Sequence, residues 1–172
     1  MWRFVMPFAL RDGSSKTRFR RSGARSNVTC PRVPMTSWEH FPHEADIGVR
    51  GRGSSPSAAF EQAALALTAI ITNLNLVRSR EAVVINCEAP SLDVLFVDWL
   101  NALIYEMMTR SMLFGEFIVT IDDSRLSATA KGEPVDRQRH EPVVEPKGAT
   151  FTELRVGRDD DAQWVAQCVV DV

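Results

Sequence analysis

Hydrophobic and polar positions alternate with a period of two over residues 46 to 52, where Ile47 and Val49 mark a half-buried strand. The pattern then changes to a helical one. In GSSPSAAFEQAALALTAII, Ser55 suits a cap and Pro56 the first helical position, and Phe60, Ala63, Ala64, Leu67 and Ile71 fall on one face. Next, REAVVINCE alternates Val83, Ile85 and Cys87 as a strand. Ser91 opens a second helix through SLDVLFVDWLNALIYEMM, with Leu92, Leu95, Phe96, Trp99, Leu103 and Met107 on its stripe.

From Phe114 the period is two again. EFIVTIDDSRLSATAKG reads as a hairpin turning at Asp122, Asp123 and Ser124, KGATFTELRV as one further strand, GRDDDA as a turn and QWVAQCVVDV as the closing strand. At least six strands and two helices are expected. Strands clustered after an initial strand-helix-strand-helix order predict an α+β fold, two helices lying as lids on a mainly antiparallel sheet.

Residues 1–34 carry no apolar period. They hold eight Lys and Arg against one Asp, a net charge of +7, whereas residues 35–172 hold 12 basic and 21 acidic residues, a net charge of −9. Rich in Arg and Ser and punctuated by Pro7, Gly13, Gly23, Pro31 and Pro34, this leader is expected to be disordered, with the folded domain over 35–172. It admits three readings: an organelle transit peptide, a basic segment touching phosphate backbones through RFRRSGAR, or an extension upstream of a start at Met35.

Composition narrows the remainder. At 45% hydrophobic and 24% charged, the chain has the balance of an ordinary globular protein, and no run approaches the ~20 apolar residues that cross a bilayer. Cys30, Cys87 and Cys168 are odd in number and form no CxxC pair, so no disulfide framework or cysteine zinc site is indicated and a reducing cytoplasm is the expected setting. Cys87 and Cys168, set among β-branched residues, read as small core residues. Phosphate-cradling GxxxxGK[ST], dinucleotide-binding GxGxxG, GxSxG and HExxH patterns are missing, and His40 and His43 flank a proline in an extended segment with no further His or Cys to complete a zinc site.

Candidate chemistry begins with Asp46. Strands generally exclude aspartate, yet Asp46 stands where one begins, and Asp171 ends a strand with an apolar majority beside Val172, whose terminal carboxylate adds a further charge. If those two strands are neighbours, three carboxylates converge and either share protons or bind a hard cation through oxygen. The plainer alternative is that each aspartate is a turn or cap residue. A second polar group lies in GEPVDRQRHEPVVEPKGAT, with Glu133, Asp136, Arg139, His140, Glu141 and Lys147; its prolines deny strand pairing, so it reads as a loop, suited to docking or else carrying solvated ion pairs.

Several separated motifs, HEADIGVRGRGSSPSAAFEQAALAL, VDWLNALIYEMM, SATAKGEPVDRQRHE, PKGATFTELRV and the final VVDV, together resemble the archease family from about His43 to Val172. The resemblance implies an α+β fold of tandem strand-helix-strand-strand modules. It implies no enzyme of its own, but a cytoplasmic activator of the GTP- and manganese-dependent RNA ligase of tRNA splicing and RNA repair, promoting guanylylation of the ligase and its multiple turnover. The ligase is then the protein partner, and tRNA or other RNA is met through it. By the same resemblance Asp46, Asp171 and Val172 hold a divalent metal ion, calcium first with magnesium or manganese as alternatives, while Lys147, His140 and Glu141 match positions for partner activation. Two departures stand out: Phe151 and Thr152 follow Thr150 where the family tends toward Tyr and His, and Glu44 stands where Thr is frequent. Two functions of other classes remain beside this one, a metal-dependent phosphohydrolase acting on RNA ends and a chaperone-like protein binder.

Overall fold

The structure, a computed structural model, describes residues 36–172; the basic leader over 1–34 and Cys30 lie outside the described residues. The elements run β1 (Ser37–His43), β2 (Asp46–Gly53), α1 (Pro56–Ile71), a 3-10 turn (Leu74–Leu76), β3 (Glu81–Glu88), α2 (Leu92–Arg110), β4 (Met112–Asp122), β5 (Arg125–Pro134), α3 (Arg137–His140), β6 (Gly148–Ala149), β7 (Arg155–Arg158) and β8 (Trp164–Asp171). The fold is α+β, and every strand pairing is antiparallel.

Both long helices start where their caps dictate. Ser55 accepts from the Ala58 N–H at 3.1 Å ahead of Pro56, and Ser91 accepts from the Val94 N–H at 3.4 Å with Asp93 in the first turn, where a carboxylate meets the positive end of the helix dipole. α2 ends at Ser111 in the left-handed region, φ 53°, its N–H bonded to Met107 and Met108.

The strands form two sheets rather than one. The larger has the order β1-β2-β8-β6, with β7 beside β6 along the same edge of β8; the smaller has the order β3-β5-β4. α1 packs on β2 and β8 of the first and β4 of the second, and α2 on β6 and β7 of the first and β3, β4 and β5 of the second. The helices are therefore a middle layer, not lids. This explains why α1 buries more than one stripe: Ala59, Phe60, Ala63, Ala64, Ala66, Leu67, Ile70 and Ile71 are all buried. Fully burying a residue such as Phe60 or Leu67 stabilises the fold by about 1.5–3 kcal/mol each. Close approach of α1 to β2 depends on Gly51, where a Cβ would lie 2.1 Å from the Ala59 carbonyl oxygen.

Three segments depart from the sequence pattern. Trp38 to His43 is a full edge strand, and Pro42 fits there because an edge tolerates a missing N–H donor. KGATFTELRV is not one strand: β6 and β7 are interrupted by a turn in which Glu153 takes φ 53°. The proline-rich loop holds a helical turn, α3, capped by Asp136, whose carboxylate accepts from the N–H groups of Gln138 and Arg139. Cys168 is buried and Cys87 half-buried, both as free thiols, and burial pushes the Cys168 thiol up to about 12.

Candidate functional site

Strand alternation sorts the large sheet into two faces. Val49, Ala166, Cys168 and Val170 face the helices, and His40 belongs with them, its Nε2 donating to the Ala66 carbonyl of α1 at 2.8 Å. On the outer face, residues opposite one another form rows across the strands: Glu39, Arg50 and Gln167 in one, Phe41, Gly48 and Val169 in the next. Gly48 makes room for Phe41, since a Cβ there would lie 2.2 Å from its ring. Arg50 is held in its row by Glu39 at 2.7 Å and by the Gln167 amide oxygen at 2.7 Å.

The row at the end of the sheet holds the site. β1 and β2 pair down to His43 opposite Asp46, across a two-residue turn of Glu44, φ 44°, and Ala45. β2 and β8 pair with Ile47 opposite Val170, so one residue further Asp46 and Asp171 are cross-strand neighbours on the outer face. Asp171 in turn pairs with Gly148 of β6. The register thus carries Asp46 and Asp171 to neighbouring ends of β2 and β8.

Lys147 enters the same corner. Its backbone N–H donates to the Asp171 carbonyl at 2.8 Å, and its ammonium donates to the main-chain oxygen of Val172 at 2.8 Å and lies 3.6 Å from Asp171 Oδ1. Both side chains remain open, Lys147 65% and Asp171 49% exposed. Val172 packs its side chain partly against the core, which anchors its main-chain oxygen at the corner.

The corner offers an all-oxygen donor set from Asp46, Asp171 and Val172, the chemistry that suits calcium, magnesium or manganese. The Lys147 ammonium lies against two of those oxygens, so they already face a cationic group of the chain itself. Among the described residues no three or more His, Cys, Asp and Glu side chains are gathered closely enough to hold a metal ion. His43, Asp46 and Asp171, neighbours by register, do not make such a group.

His140 and Glu141 do not join this corner. His140 is buried: its Nδ1 accepts from the Asp136 N–H at 2.9 Å, which leaves the proton on Nε2 to be donated to Glu133 Oε1 at 3.3 Å. Its carbonyl accepts from the Thr72 hydroxyl at the end of α1. In this arrangement His140 braces the loop from beneath and has no ring nitrogen left for a partner. Glu141 is exposed beside it at φ 45° and lines an apolar cavity of about 650 Å³ with Trp38, Ile71, Thr72 and Leu74.

Glu133, read from the sequence as a loop acid, lies instead in β5 opposite Leu113, with Pro134 at the strand's end, and is the hub of that cluster. It is 1% exposed, and its Oε1 accepts from Arg139 at 2.7 Å and from the Arg78 N–H at 2.8 Å, with Arg80 at 3.4 Å from Oε2. The Arg139 hydrogen bond, aided by Arg78 and His140 against the opposing effect of burial, holds the carboxyl down at about 2. Nothing in the spacing separated this acid from its solvated neighbours; the only cue was its place at the end of a strand-forming run.

The model of the archease protein family matches residues 38–172 of this chain. The archease of Pyrococcus abyssi is 36% identical over 142 residues, covering 80% of this chain and all of that protein. The archease of Thermococcus gammatolerans is 37% identical over 142 residues with the same coverage. Among solved structures, the solution structure of Methanobacterium thermoautotrophicum protein 1598 superposes with a TM-score of 0.70 at 31% identity, covering 79% of this chain and 99% of the other.

Proposed function

The chain belongs to the archease family, and on that premise we propose that it is a metal-binding accessory protein that activates the GTP- and manganese-dependent RNA ligase of tRNA splicing and RNA repair. The observation that carries the reading is the sheet corner, where the β2-β8 ladder sets Asp46 beside Asp171 and the Val172 oxygen and leaves Lys147 half in solvent. A bound divalent cation would supply a concentrated positive charge for oxygen ligands of the partner.

The residues of the chain have separable parts in this. Asp46 and Asp171 hold the cation from adjacent strands, so its position is set by the sheet rather than by a loop. Lys147 presents an exposed ammonium beside them, suited to a phosphate or acidic group of the ligase. The cluster of buried Glu133 and His140 with half-buried Arg139 fixes the loop that displays Glu141. No membrane attachment is called for, and among the described residues no helix is long and apolar enough to cross one.

Ligase turnover decides the matter. With the partner ligase, GTP and a broken RNA, the wild-type protein should raise guanylylation and convert a single turnover into many, while Asp46→Asn and Lys147→Ala should not. Equal turnover with and without the wild-type protein would overturn the reading. Release of phosphate from RNA ends without ligase would favour the phosphohydrolase, and protection of unrelated unfolding proteins the chaperone-like binder.

A further inference from the structure

Most sheet edges in this protein are closed by a side chain of another element. On β4, Glu61 accepts from the Val119 N–H at 2.8 Å, and the Thr68 hydroxyl donates to the Phe114 carbonyl at 2.8 Å. On β6, the Asn101 carboxamide accepts from the Ala149 N–H at 2.8 Å and donates to the Ala149 carbonyl at 3.2 Å. On β7, Asp93 accepts from the Val156 N–H at 2.9 Å. β1 carries Pro42, which has no N–H to offer a further strand. β3 ends the small sheet with no such device.

Register decides which groups β3 leaves open. The two-residue turn between Asp122 and Arg125 makes odd-numbered residues of β5 bond to β4 and even-numbered ones to β3. The Ala89 N–H, donating to the Ser124 carbonyl at 3.0 Å, fixes the same alternation from the β3 side. The ladder therefore runs through Val83, Ile85 and Cys87, and the N–H and C=O groups of Ala82, Val84, Asn86 and Glu88 point away from β5. Among the described residues nothing bonds to them. The side chains at this edge are apolar in the middle: Val84, 65% exposed, stands in one row with Thr129 and Ile118, the last 51% exposed.

We propose that β3 pairs with β3 of a second copy of the chain, antiparallel about a two-fold axis at Val84, so that the two small sheets join edge to edge. A two-fold interface must be complementary to itself, and this register is. Val84 meets Val84 of the second copy, Ala82 meets Asn86, and the Glu88 carboxylate comes level with Arg80, which is 59% exposed. The apolar row of Ile118, Thr129 and Val84 then continues unbroken through both copies, and no like charges are opposed. An axis moved toward Asn86 would set Val84 against Asn86 or Glu88, and one moved toward Ala82 would shorten the ladder. A single strand pair lies at or below the roughly 1,200 Å² of the smallest stable interfaces, so the dimer is a weak one, with a dissociation constant roughly between micromolar and millimolar. The pairing needs no cation and stands apart from the ligase reading.

The test uses the tag-free full chain across a concentration series, from about 10 μM to about 500 μM, a range that brackets such a constant. Sedimentation velocity should show the mass rising toward twice that of one chain. Over the same series, amide hydrogen exchange read by NMR should slow at Ala82, Val84, Asn86 and Glu88, while Val83, Ile85 and Cys87, already bonded to β5, change little. Val84→Lys sets two ammonium groups against each other at the axis and should raise the dissociation constant by roughly tenfold or more. A chain that stays single throughout would overturn the proposal. So would association that leaves those four amides unprotected and survives Val84→Lys, which would place the contact elsewhere on the chain. If Val84→Lys does not fold, the exchange pattern of the wild type decides by itself, since only pairing at this edge protects alternate residues of β3.

Discussion

The Glu133 cluster and the Asp46–Asp171 corner are built from the same groups, carboxylate, cation and imidazole, but in opposite states of completion. Around Glu133, two arginines, a backbone N–H and His140 converge on one buried carboxylate, and His140 finds a donor for its other nitrogen. At the corner, two carboxylates face one half-solvated lysine, and the neighbouring His43 Nδ1 has no partner. A closed polar network rigidifies a loop, and one partner removed leaves a buried charge uncompensated. An open one keeps ligand capacity for something outside the chain. The contrast separates a structural carboxylate from solvent-facing ones where residue type alone would not.

The largest effect should come from breaking the closed network. Glu133→Ala removes the acceptor shared by Arg139, His140 and the Arg78 N–H, and the melting temperature should fall by roughly 10 °C. A scan showing a loss under a few degrees would mean that the network is less coupled than its geometry. The pH dependence sharpens the point. The Glu133 carboxyl is depressed from 4.5 to about 2, so its contribution is present in full above 4.5 and is lost as pH falls through about 2. The stability gap between wild type and Glu133→Gln should be constant from pH 7 to 5 and narrow below 4.5, as read by denaturant titration across that range.

The open corner should respond to cation instead. With a divalent ion at a hundredfold excess over its dissociation constant, the wild type should gain about 2.7 kcal/mol over the chelated form. Asp46→Asn should lose most of that gain, yet be no less stable than wild type in chelator because repulsion with Asp171 falls. Equal destabilisation with cation and with chelator would make Asp46 a backbone cap. The smallest effect belongs to Lys147→Ala, within about 0.5 kcal/mol of wild type by chemical denaturation, because the side chain is 65% exposed. A larger loss would show the corner to be structurally closed like its counterpart.

Much of the fold was legible in the chain. The helix caps at Ser55 and Ser91, the period-two runs of β2, β3 and β8 and the Asp122–Ser124 turn all rest on interactions among residues close in sequence, and all are found. The pairing of helices with two sheets was not, because an apolar stripe says that a face is buried but not against what. β1 was obscured by Pro42, and the break between β6 and β7 by an unbroken run of strand-compatible residues.

The site divides in the same way. Asp46, Asp171 and Lys147 were conspicuous because each violates its local pattern, a charge where an apolar strand begins or ends. Which charges meet was decided by register: the pairing of Ile47 with Val170 carries Asp46 to Asp171, and the pairing of β1 with β2 adds His43. A shift of one residue would send each side chain to the other face of the sheet. Burial of Glu133 and His140 is likewise a tertiary outcome, since it depends on the Arg78 backbone and the Thr72 hydroxyl, both more than fifty residues away. Local sequence determined the elements and the chemical types on offer; long-range strand pairing and packing decided which were completed inside the chain and which were left open, because hydrogen-bond partners are settled by distance in space rather than along the backbone.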